Sequence, residues 1–135
     1  MKPDWTLIAN GTRARLLQQQ GGAPMIILES FIHPVRVPNG FAPGPSLFGE
    51  LDSTWRLEKH YTEFARELTQ LLEQEAQLDH FHALTIFASQ PFLGELEEEL
   101  GKATRRRIIA MHEADLTGFT VSEIEERIAD ELADH

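Results

Sequence analysis

Two arginines spaced two residues apart, Arg13 and Arg15, are the side chains of this sequence best suited to bind an anion. They alternate with Ala14 and Leu16, and on a β-strand this alternation directs both guanidinium groups to one face of the sheet. Such a pair suits a phosphate or carboxylate ligand. The simpler interpretation is that both charges lie on a solvated sheet face, or pair with acids of a covering helix such as Glu63.

Two further polar residues stand where apolar segments end. Asn10 closes the first apolar segment, and Asp115 follows the last one. Ligand sites collect at the carboxyl ends of parallel strands, so Asp115 is a candidate acid at such an edge. Since no base or nucleophile accompanies it, the pattern favours a turn residue that caps nearby backbone N–H groups.

Arg105 opens a run of three arginines, which follows an acidic helical pattern that ends near residues 100–102. Positive charge there complements the negative end of the helix macrodipole, which is enough to explain the run. Contact with RNA is the alternative, although no aromatic residue stands beside the run to stack on a base. The candidate binding residues are therefore Asn10, Arg13, Arg15, Arg105 and Asp115, and we predict no catalytic residue.

Histidines and carboxylates supply the candidates for a metal-dependent reaction. His80 and His82 would share one face of a strand, and His112 on a neighbouring strand could approach them. A zinc site needs three or four ligands in fixed geometry, and a two-metal nuclease needs several carboxylates. Asp4 precedes the first strand instead of lying within it. We therefore predict no metal and no cofactor, and keep a metal-dependent hydrolase or nuclease as the alternative function.

Three apolar segments in the first quarter of the chain predict a strand meander. They run from Trp5 to Ala9, from Thr12 to Leu17 and from Met25 to Ile32. The Asn10-Gly11 pair predicts a type I′ hairpin turn, because both residues tolerate positive φ. Prolines and glycines interleave over residues 34–53, which predicts a long exposed loop there. From Thr54 to Gln77 the apolar residues recur at helical spacing and predict an amphipathic helix.

The rest of the chain predicts a βαβ unit followed by a last helix. Apolar runs at residues 83–88 and 108–111 flank a helical pattern at residues 92–100, with Pro91 in its first turn and Gly101 as its C-terminal cap. Thr120 and Glu123 have the spacing of a capping box. A βαβ unit requires parallel strands. We predict an α/β fold with a mixed five-stranded sheet of order 3-2-1-4-5, strand 2 antiparallel and helices flanking it, which is a ribonuclease H-like layout.

Composition limits the function classes. A chain of 135 residues with 41% hydrophobic residues fits a single domain over residues 1–135. The net charge of −10 argues against tight nonspecific binding to nucleic acid. Cysteine is absent, which excludes a disulfide framework and a thiolate nucleophile. No apolar run approaches the roughly 20 residues that span a bilayer. We therefore expect a cytoplasmic protein without a membrane partner.

Four short motifs resemble those of a known bacterial family. Residues 8–15, Ile-Ala-Asn-Gly-Thr-Arg-Ala-Arg, resemble the opening A-D/N-G-x-R-A-R hairpin of the bacterial host-attachment proteins. Phe64 to Leu68 resembles the FA-x-x-L helix of that family, Pro91 to Gly94 its P-x-FLG-x-L turn, and Asp115 to Thr117 its DLT ending. The motifs occur in the family's order, and the resemblance leaves out only residues 34–53.

The resemblance implies a link to translation. The host-attachment family is considered distantly similar to the middle domain of archaeal and eukaryotic peptide-chain release factors, which has the ribonuclease H-like layout. Release activity rests on a Gly-Gly-Gln tripeptide, whereas Gln20, Gly21 and Gly22 stand here in the reverse order. Peptidyl-tRNA hydrolysis is therefore not implied. We predict a non-enzymatic host-attachment-type adaptor, ribosome- or translation-associated, that binds a protein or ribonucleoprotein partner. The apolar residues of the loop at residues 34–53 and the edge strands could pair subunits into a homo-oligomer.

Overall fold

The sheet is built around its first strand. A computed structural model describes residues 2–32 and 49–133, with side chains described for residues 2–32 and 59–130. The strands are β1 (Asp4–Ala9), β2 (Arg13–Gln19), β3 (Ile26–Ile32), β4 (Leu84–Ala88) and β5 (Ile108–Glu113). Within the described residues they form one five-stranded sheet in the order β3-β2-β1-β4-β5, with β1 in the centre.

Strand directions follow the prediction. β2 is antiparallel to both β1 and β3, whereas β1, β4 and β5 run parallel to one another. Parallel neighbours need a crossover connection, which explains why helical segments separate β4 from β5. The predicted mixed sheet with a ribonuclease H-like layout is confirmed.

The helices are α1 (Gly49–Gln77), α2 (Phe92–Glu99), α3 (Lys102–Arg105) and α4 (Val121–Ala133). Helix α1 begins before the predicted Thr54, so the predicted loop at residues 34–53 is wrong for residues 49–53. The last proline before this helix is Pro45, so no proline interrupts the helical hydrogen bonds of residues 49–53. Residues 34–48 of that prediction lie outside the described residues. Among the helices described, none has both the length and the apolarity that crossing a bilayer requires.

The predicted capping box at the start of α4 is confirmed. The Thr120 N–H donates to Glu123 Oε1 at 2.9 Å, and the Glu123 N–H donates to Thr120 Oγ1 at 3.2 Å. Two backbone donors that the first helical turn leaves unpaired are thereby satisfied. These bonds fix where the chain turns from the segment after β5 into α4.

The two faces of the sheet carry separate apolar clusters. Leu7 of β1 belongs to the larger cluster, together with Phe64 of α1. Its neighbour Ile8 points to the other face and belongs to a smaller cluster with Leu116 and Ile124. Alternate residues of a strand face opposite sides, so one strand supplies both clusters. Helices α1 and α2 thus pack on one face, and the segment before α4, with α4 itself, packs on the other.

Both edge strands contain a bulge. In the ladder between β2 and β3, Leu16 pairs with Glu29 and Leu17 with Ile27, so that Leu28 has no partner. In the ladder between β4 and β5, Leu84 pairs with Ile108 and Thr85 with Ala110. Ile109 is therefore skipped in the same way. Bulges at sheet edges disrupt the ladder locally and increase the twist.

The carboxylate of Glu73 connects α1 to the start of α3. It accepts the Ala103 N–H at 3.2 Å, the Thr104 N–H at 3.0 Å and the Thr104 hydroxyl at 2.9 Å. These bonds, the backbone bond from Thr104 first, lower the pKa of Glu73 despite an opposing desolvation. A Cβ on Gly101 would lie 2.4 Å from Glu73 Oε1. Gly101 is therefore the N-terminal cap residue of α3 and lies close to this carboxylate. Its predicted role as the C-terminal cap of α2 is wrong, because Leu100 takes that position.

Replacing Glu73 tests this connection. Glu73→Ala leaves the N–H groups at the start of α3 and the fully buried Thr104 hydroxyl without their acceptor. We expect the free energy of unfolding, measured in urea, to fall by about 1–3 kcal/mol. Glu63→Ala, at an exposed position of the same helix, should change it by less than about 0.5 kcal/mol. Equal losses in the two variants would contradict the role given to Glu73.

Candidate functional site

The connection between β1 and β2 is organised by the side chain of Asn10. Asn10 Oδ1 accepts the Thr12 N–H at 2.9 Å and the Arg13 N–H at 2.8 Å, while the Asn10 N–H donates to the Arg13 carbonyl at 2.9 Å. Neither Asn10 nor Gly11 has a positive φ. The predicted type I′ turn is therefore wrong, because the asparagine side chain replaces the backbone bonds that such a turn would make.

Gly11 is required by a neighbouring ring. A Cβ at this position would lie 1.9 Å from Cε1 of Tyr61, so that no larger residue fits. Tyr61 meets Phe92 edge to face at a centroid distance of 6.0 Å, and Phe92 stacks on Phe64 at 5.3 Å. The tip of the β1–β2 hairpin consequently lies against Tyr61 of α1, and the Tyr61 ring in turn contacts Phe92 of α2.

On the opposite side Asn10 contacts the segment that follows β5. Asn10 Nδ2 donates to Asp115 Oδ2 at 3.2 Å and to Thr117 Oγ1 at 3.1 Å. Asp115 Oδ1 accepts the Thr117 N–H at 3.0 Å and its hydroxyl at 2.6 Å. The structure thus brings together two of the predicted binding residues, Asn10 and Asp115, and adds Thr117 to them.

Asp115 is held in its ionised form. Partial burial raises the pKa of this carboxyl, but the hydrogen bonds from the Thr117 side chain and backbone and from Asn10 together outweigh burial. The net effect is a pKa below the ordinary value of an aspartate. Because all three bonds donate to the carboxylate, they favour its charged form, and Asp115 has the turn-capping role that the sequence favoured.

Arg15 contacts the backbone of the same segment. Its Nη1 donates to the Phe119 carbonyl at 2.9 Å, and its Nη2 donates to the Thr117 carbonyl. The guanidinium group therefore joins neither an anion-binding pair with Arg13 nor an ion pair with Glu63. Within the described residues, Arg13 is exposed and its guanidinium group makes no ion pair or hydrogen bond.

These residues lie at the edge of the sheet where the parallel strands end. The Ser89 N–H donates to the Ala9 carbonyl at 3.3 Å, and the Ala114 N–H donates to the Ala88 carbonyl at 3.1 Å, so the ends of β1, β4 and β5 are adjacent. We call this region the carboxyl edge and define it by Asn10, Arg13, Ser89, Glu113 and Asp115. Such edges are where open α/β sheets bind ligands.

Arg105 lies at the other end of the sheet, before β5 begins. Its Nε donates to the Leu100 carbonyl at 3.0 Å, and its Nη2 donates to the Glu97 carbonyl. The side chain therefore interacts with the C-terminal end of α2, as the macrodipole interpretation requires. The structure does not bring Arg105 into one site with Arg13 and Asp115.

The three candidate metal ligands do not meet. His80 pairs with Glu75, and His82 precedes β4. His112 stacks on Phe87 at 5.1 Å, near the end of β5. His82 and His112 thus lie toward opposite ends of the sheet. In residues 2–32 and 59–130, no three histidine, aspartate or glutamate side chains form a group that could hold a metal ion.

Sequence patterns did not indicate three residues that contact the β1–β2 hairpin, namely Tyr61, Thr117 and Phe119. Thr117 carried a usable signal, since an aspartate two residues before a threonine favours local side-chain bonds to the backbone. Phe119 contributes its carbonyl oxygen, and Tyr61 a ring surface facing Gly11. Neither of these contacts corresponds to a recognisable residue type in the sequence.

Arg15→Lys tests the contact between β2 and the segment after β5. Lysine keeps the charge but lacks the planar fork that reaches two carbonyl oxygens. We expect the free energy of unfolding to fall by about 1–2 kcal/mol and amide hydrogen exchange to accelerate at residues 116–120. Arg13→Lys, the same substitution two residues earlier on the same strand, should leave both quantities unchanged. Unaltered exchange in Arg15→Lys would contradict this role.

Asp115→Asn tests the ionised carboxylate. The added amide would face the donor Nδ2 of Asn10. We expect the free energy of unfolding at pH 7 to fall by about 1 kcal/mol, a modest loss because the carboxylate is partly solvated. The pKa of Asp115 is lower in the folded chain than the ordinary value of about 3.9. The stability that the ionised Asp115 contributes is therefore fully present above the ordinary aspartate pKa, and it is lost as the pH falls through the lower pKa of the folded state.

The difference in unfolding free energy between wild type and Asp115→Asn should accordingly be constant from neutral pH down to about pH 5, and should shrink below about pH 4. Measuring this difference cancels the other carboxylates that titrate in the same range. A difference that is independent of pH would exclude a stabilising role for the charge of Asp115.

The fold is similar to that of one region of a solved archaeal termination factor. Among solved structures, the archaeal translation termination factor aRF1 is 12% identical, with a TM-score of 0.50 over 84% of this chain and 31% of that chain. A structure titled only as an archaeal protein is 14% identical (84% and 30% covered, TM-score 0.49). The Ppx/GppA phosphatase of Aquifex aeolicus is 15% identical (83% and 35% covered, TM-score 0.44). The chain spans about a third of the length of these proteins, and the likeness to aRF1 concerns the fold alone.

The family is settled by the sequence match. The comparison with curated proteins found no match. A family model described as Bacterial archaeo-eukaryotic release factor family 12 matches residues 4–128. The predicted relation to release factors is confirmed at the level of the family, whereas none of these findings supports host attachment. The chain belongs to bacterial archaeo-eukaryotic release factor family 12.

Proposed function

We propose that this protein is a translation-associated adaptor that binds a protein component of the ribosome through the carboxyl edge of its sheet. Membership of a release-factor family over residues 4–128 supports the link to translation. The observation that carries the choice of surface is an exposed arginine, Arg13, beside a network in which Asn10, Arg15 and Asp115 are already hydrogen-bonded.

A rigid edge supports binding better than a mobile one. The segment after β5 is held by Asn10 through side-chain bonds and by Arg15 through bonds to the backbone. Groups that are ordered before a partner arrives lose less entropy on binding. Arg13 therefore projects from a fixed frame at the same end of the sheet as the exposed residues Gln90 and Glu113.

The charges at this edge suit a protein more than RNA. Glu113 and Asp115 are both acidic and lie at the same end of the sheet as Arg13, whose guanidinium group makes no hydrogen bond among the described residues. A phosphate backbone would be repelled by the two acids and by the net charge of −10. A protein surface with charges of both signs can match this pattern and gain specificity from it.

An adaptor role fits the chemistry of the chain better than release of a peptide. Gln20, Gly21 and Gly22 form the turn between β2 and β3, where the Ala23 N–H donates to the Gln20 carbonyl at 3.1 Å and Gly21 has a φ of +59°. This turn lies at the end of the sheet away from the carboxyl edge. The alternative, a metal-dependent hydrolase, finds no supporting ligand cluster among the described residues.

Co-sedimentation with purified bacterial ribosomes tests the proposal. We expect wild-type protein to pellet with ribosomes through a sucrose cushion, and Arg13→Glu to reduce the bound fraction at least about fivefold. Arg106→Glu is the matched control, because Arg106 is also exposed but precedes β5 at the other end of the sheet. Both variants carry the same change in net charge.

Three outcomes would contradict the proposal. Wild-type protein that stays in the supernatant removes the ribosome as a partner. Equal losses in Arg13→Glu and Arg106→Glu remove the carboxyl edge as the contact surface. Binding to isolated ribosomal RNA as strong as to whole ribosomes removes the protein component as the partner.

A further inference from the structure

Strand β3 forms one edge of the sheet and is exposed along most of its length. Ile26 and Ile32 keep 52% and 71% of their surface accessible, and Ile27 and Leu28 are exposed as well. Among the described residues no strand pairs with the outer side of β3, and aliphatic side chains grouped on such a strand expose both an apolar surface and backbone hydrogen-bonding groups. Such a strand is suited to pairing with another strand.

The same segment carries almost no charge. Between Gln20 and Ile32 the only ionisable side chain is Glu29, in a chain with a net charge of −10. Two copies of so acidic a chain repel each other over most of their surface, and a neutral segment is where they can approach. A nucleic acid would find no positive charge here to attract it, and a basic protein would find only the single carboxylate of Glu29. The charge distribution therefore favours a second copy as the occupant of this edge.

We propose that β3 pairs with β3 of a second copy of this chain, antiparallel and about a two-fold axis. The outward N–H and C=O groups of each strand would then bond to those of the other, which makes the contact self-complementary. Because the bulge at Leu28 interrupts the ladder, the regular part of the strand is Glu29 to Ile32.

The position of the two-fold axis follows from the charge of Glu29 and from which side chains the pairing brings opposite each other. An axis at Glu29 would place two carboxylates directly opposite each other, which is unfavourable. An axis at Ser30 places Glu29 opposite Phe31, so that no carboxylates face each other, and it brings Ile32 to the bulge at Leu28, where apolar side chains meet. We therefore place the axis at Ser30.

The other edge of the sheet provides a control. Strand β5 has one large exposed aliphatic side chain, Ile109, with 62% of its surface accessible, and it ends in the exposed acid Glu113. The β5 edge thus has the same kind of residue at a similar exposure but lacks the apolar cluster of β3. A substitution at Ile109 reproduces the chemical change without touching the proposed contact.

Sedimentation of the full chain over about 1–100 µM tests the proposal, since a dimer is populated according to concentration. We expect a monomer–dimer equilibrium in the wild type. Ile32→Lys should raise the dissociation constant at least about tenfold, because lysine at a strand edge opposes pairing. Ile109→Lys should leave it within about twofold. Circular dichroism of both variants checks that each is folded.

A single cysteine reports the axis, because the chain contains no cysteine of its own. Directly opposed residues of antiparallel strands have Cβ atoms close enough to form a disulfide with small adjustment. Ser30→Cys should therefore give a covalent dimer on mild oxidation, and Gln70→Cys, on the exposed side of α1, should remain monomeric.

A wild type that is monomeric at every concentration would overturn the proposal. So would equal loss of dimer in Ile32→Lys and Ile109→Lys, or a dimer in which Ser30→Cys cross-links no faster than Gln70→Cys. Dimer loss confined to Ile32→Lys, together with cross-linking confined to Ser30→Cys, supports β3 as the contact and Ser30 as its axis.

Discussion

The side chain of Asn10 joins parts of the chain that are more than a hundred residues apart. Its oxygen accepts bonds from the backbone of the β1–β2 hairpin, and its nitrogen donates to Asp115 and Thr117 before α4. A carboxamide can do both at once because it carries an acceptor and two donors on neighbouring atoms. The hairpin conformation and the position of the segment that leads into α4 are therefore set by one residue, and both faces of the sheet depend on where those elements lie.

The four motifs named in the sequence contact one another in two pairs. The hairpin motif that contains Asn10 bonds to the motif that contains Asp115, and the motif of Phe64 stacks on the motif of Phe92. Tyr61 links the pairs, since it touches both Gly11 and Phe92. The residues of these motifs and Tyr61 thus form a continuous set of polar and aromatic contacts that supports the carboxyl edge. Exposed residues beside these contacts, such as Arg13, can change without disturbing them.

Local patterns in the sequence were sufficient to locate the strands and helices, because period-two alternation and capping residues act over a few positions. The strand order then followed from the hairpin and βαβ connections between these elements. The same patterns identified Asn10 and Asp115, which the structure brings together, but they could not assign Arg15. Its acceptors are carbonyl oxygens 102 and 104 residues away, and a carbonyl oxygen is common to every residue type. Helix α3 could not be predicted for another reason. Its four residues are too few to show helical periodicity, and the carboxylate of Glu73 that holds its N-terminus comes from a different helix.

Arg15 contacts main-chain oxygens, and this has a consequence for how members of the family can diverge. The bonds to residues 117 and 119 depend on the path of the backbone. The side chains there are constrained separately, because the Thr117 hydroxyl bonds to Asn10 and Asp115 and Phe119 packs against the smaller apolar cluster. Substitutions at Gly118, which is exposed and has open space around an added Cβ, can therefore accumulate while the segment keeps its course, as long as the arginine remains. Evolution can thus alter the chemical character of the surface beside the carboxyl edge, and with it the choice of partner, without rebuilding the scaffold that presents it.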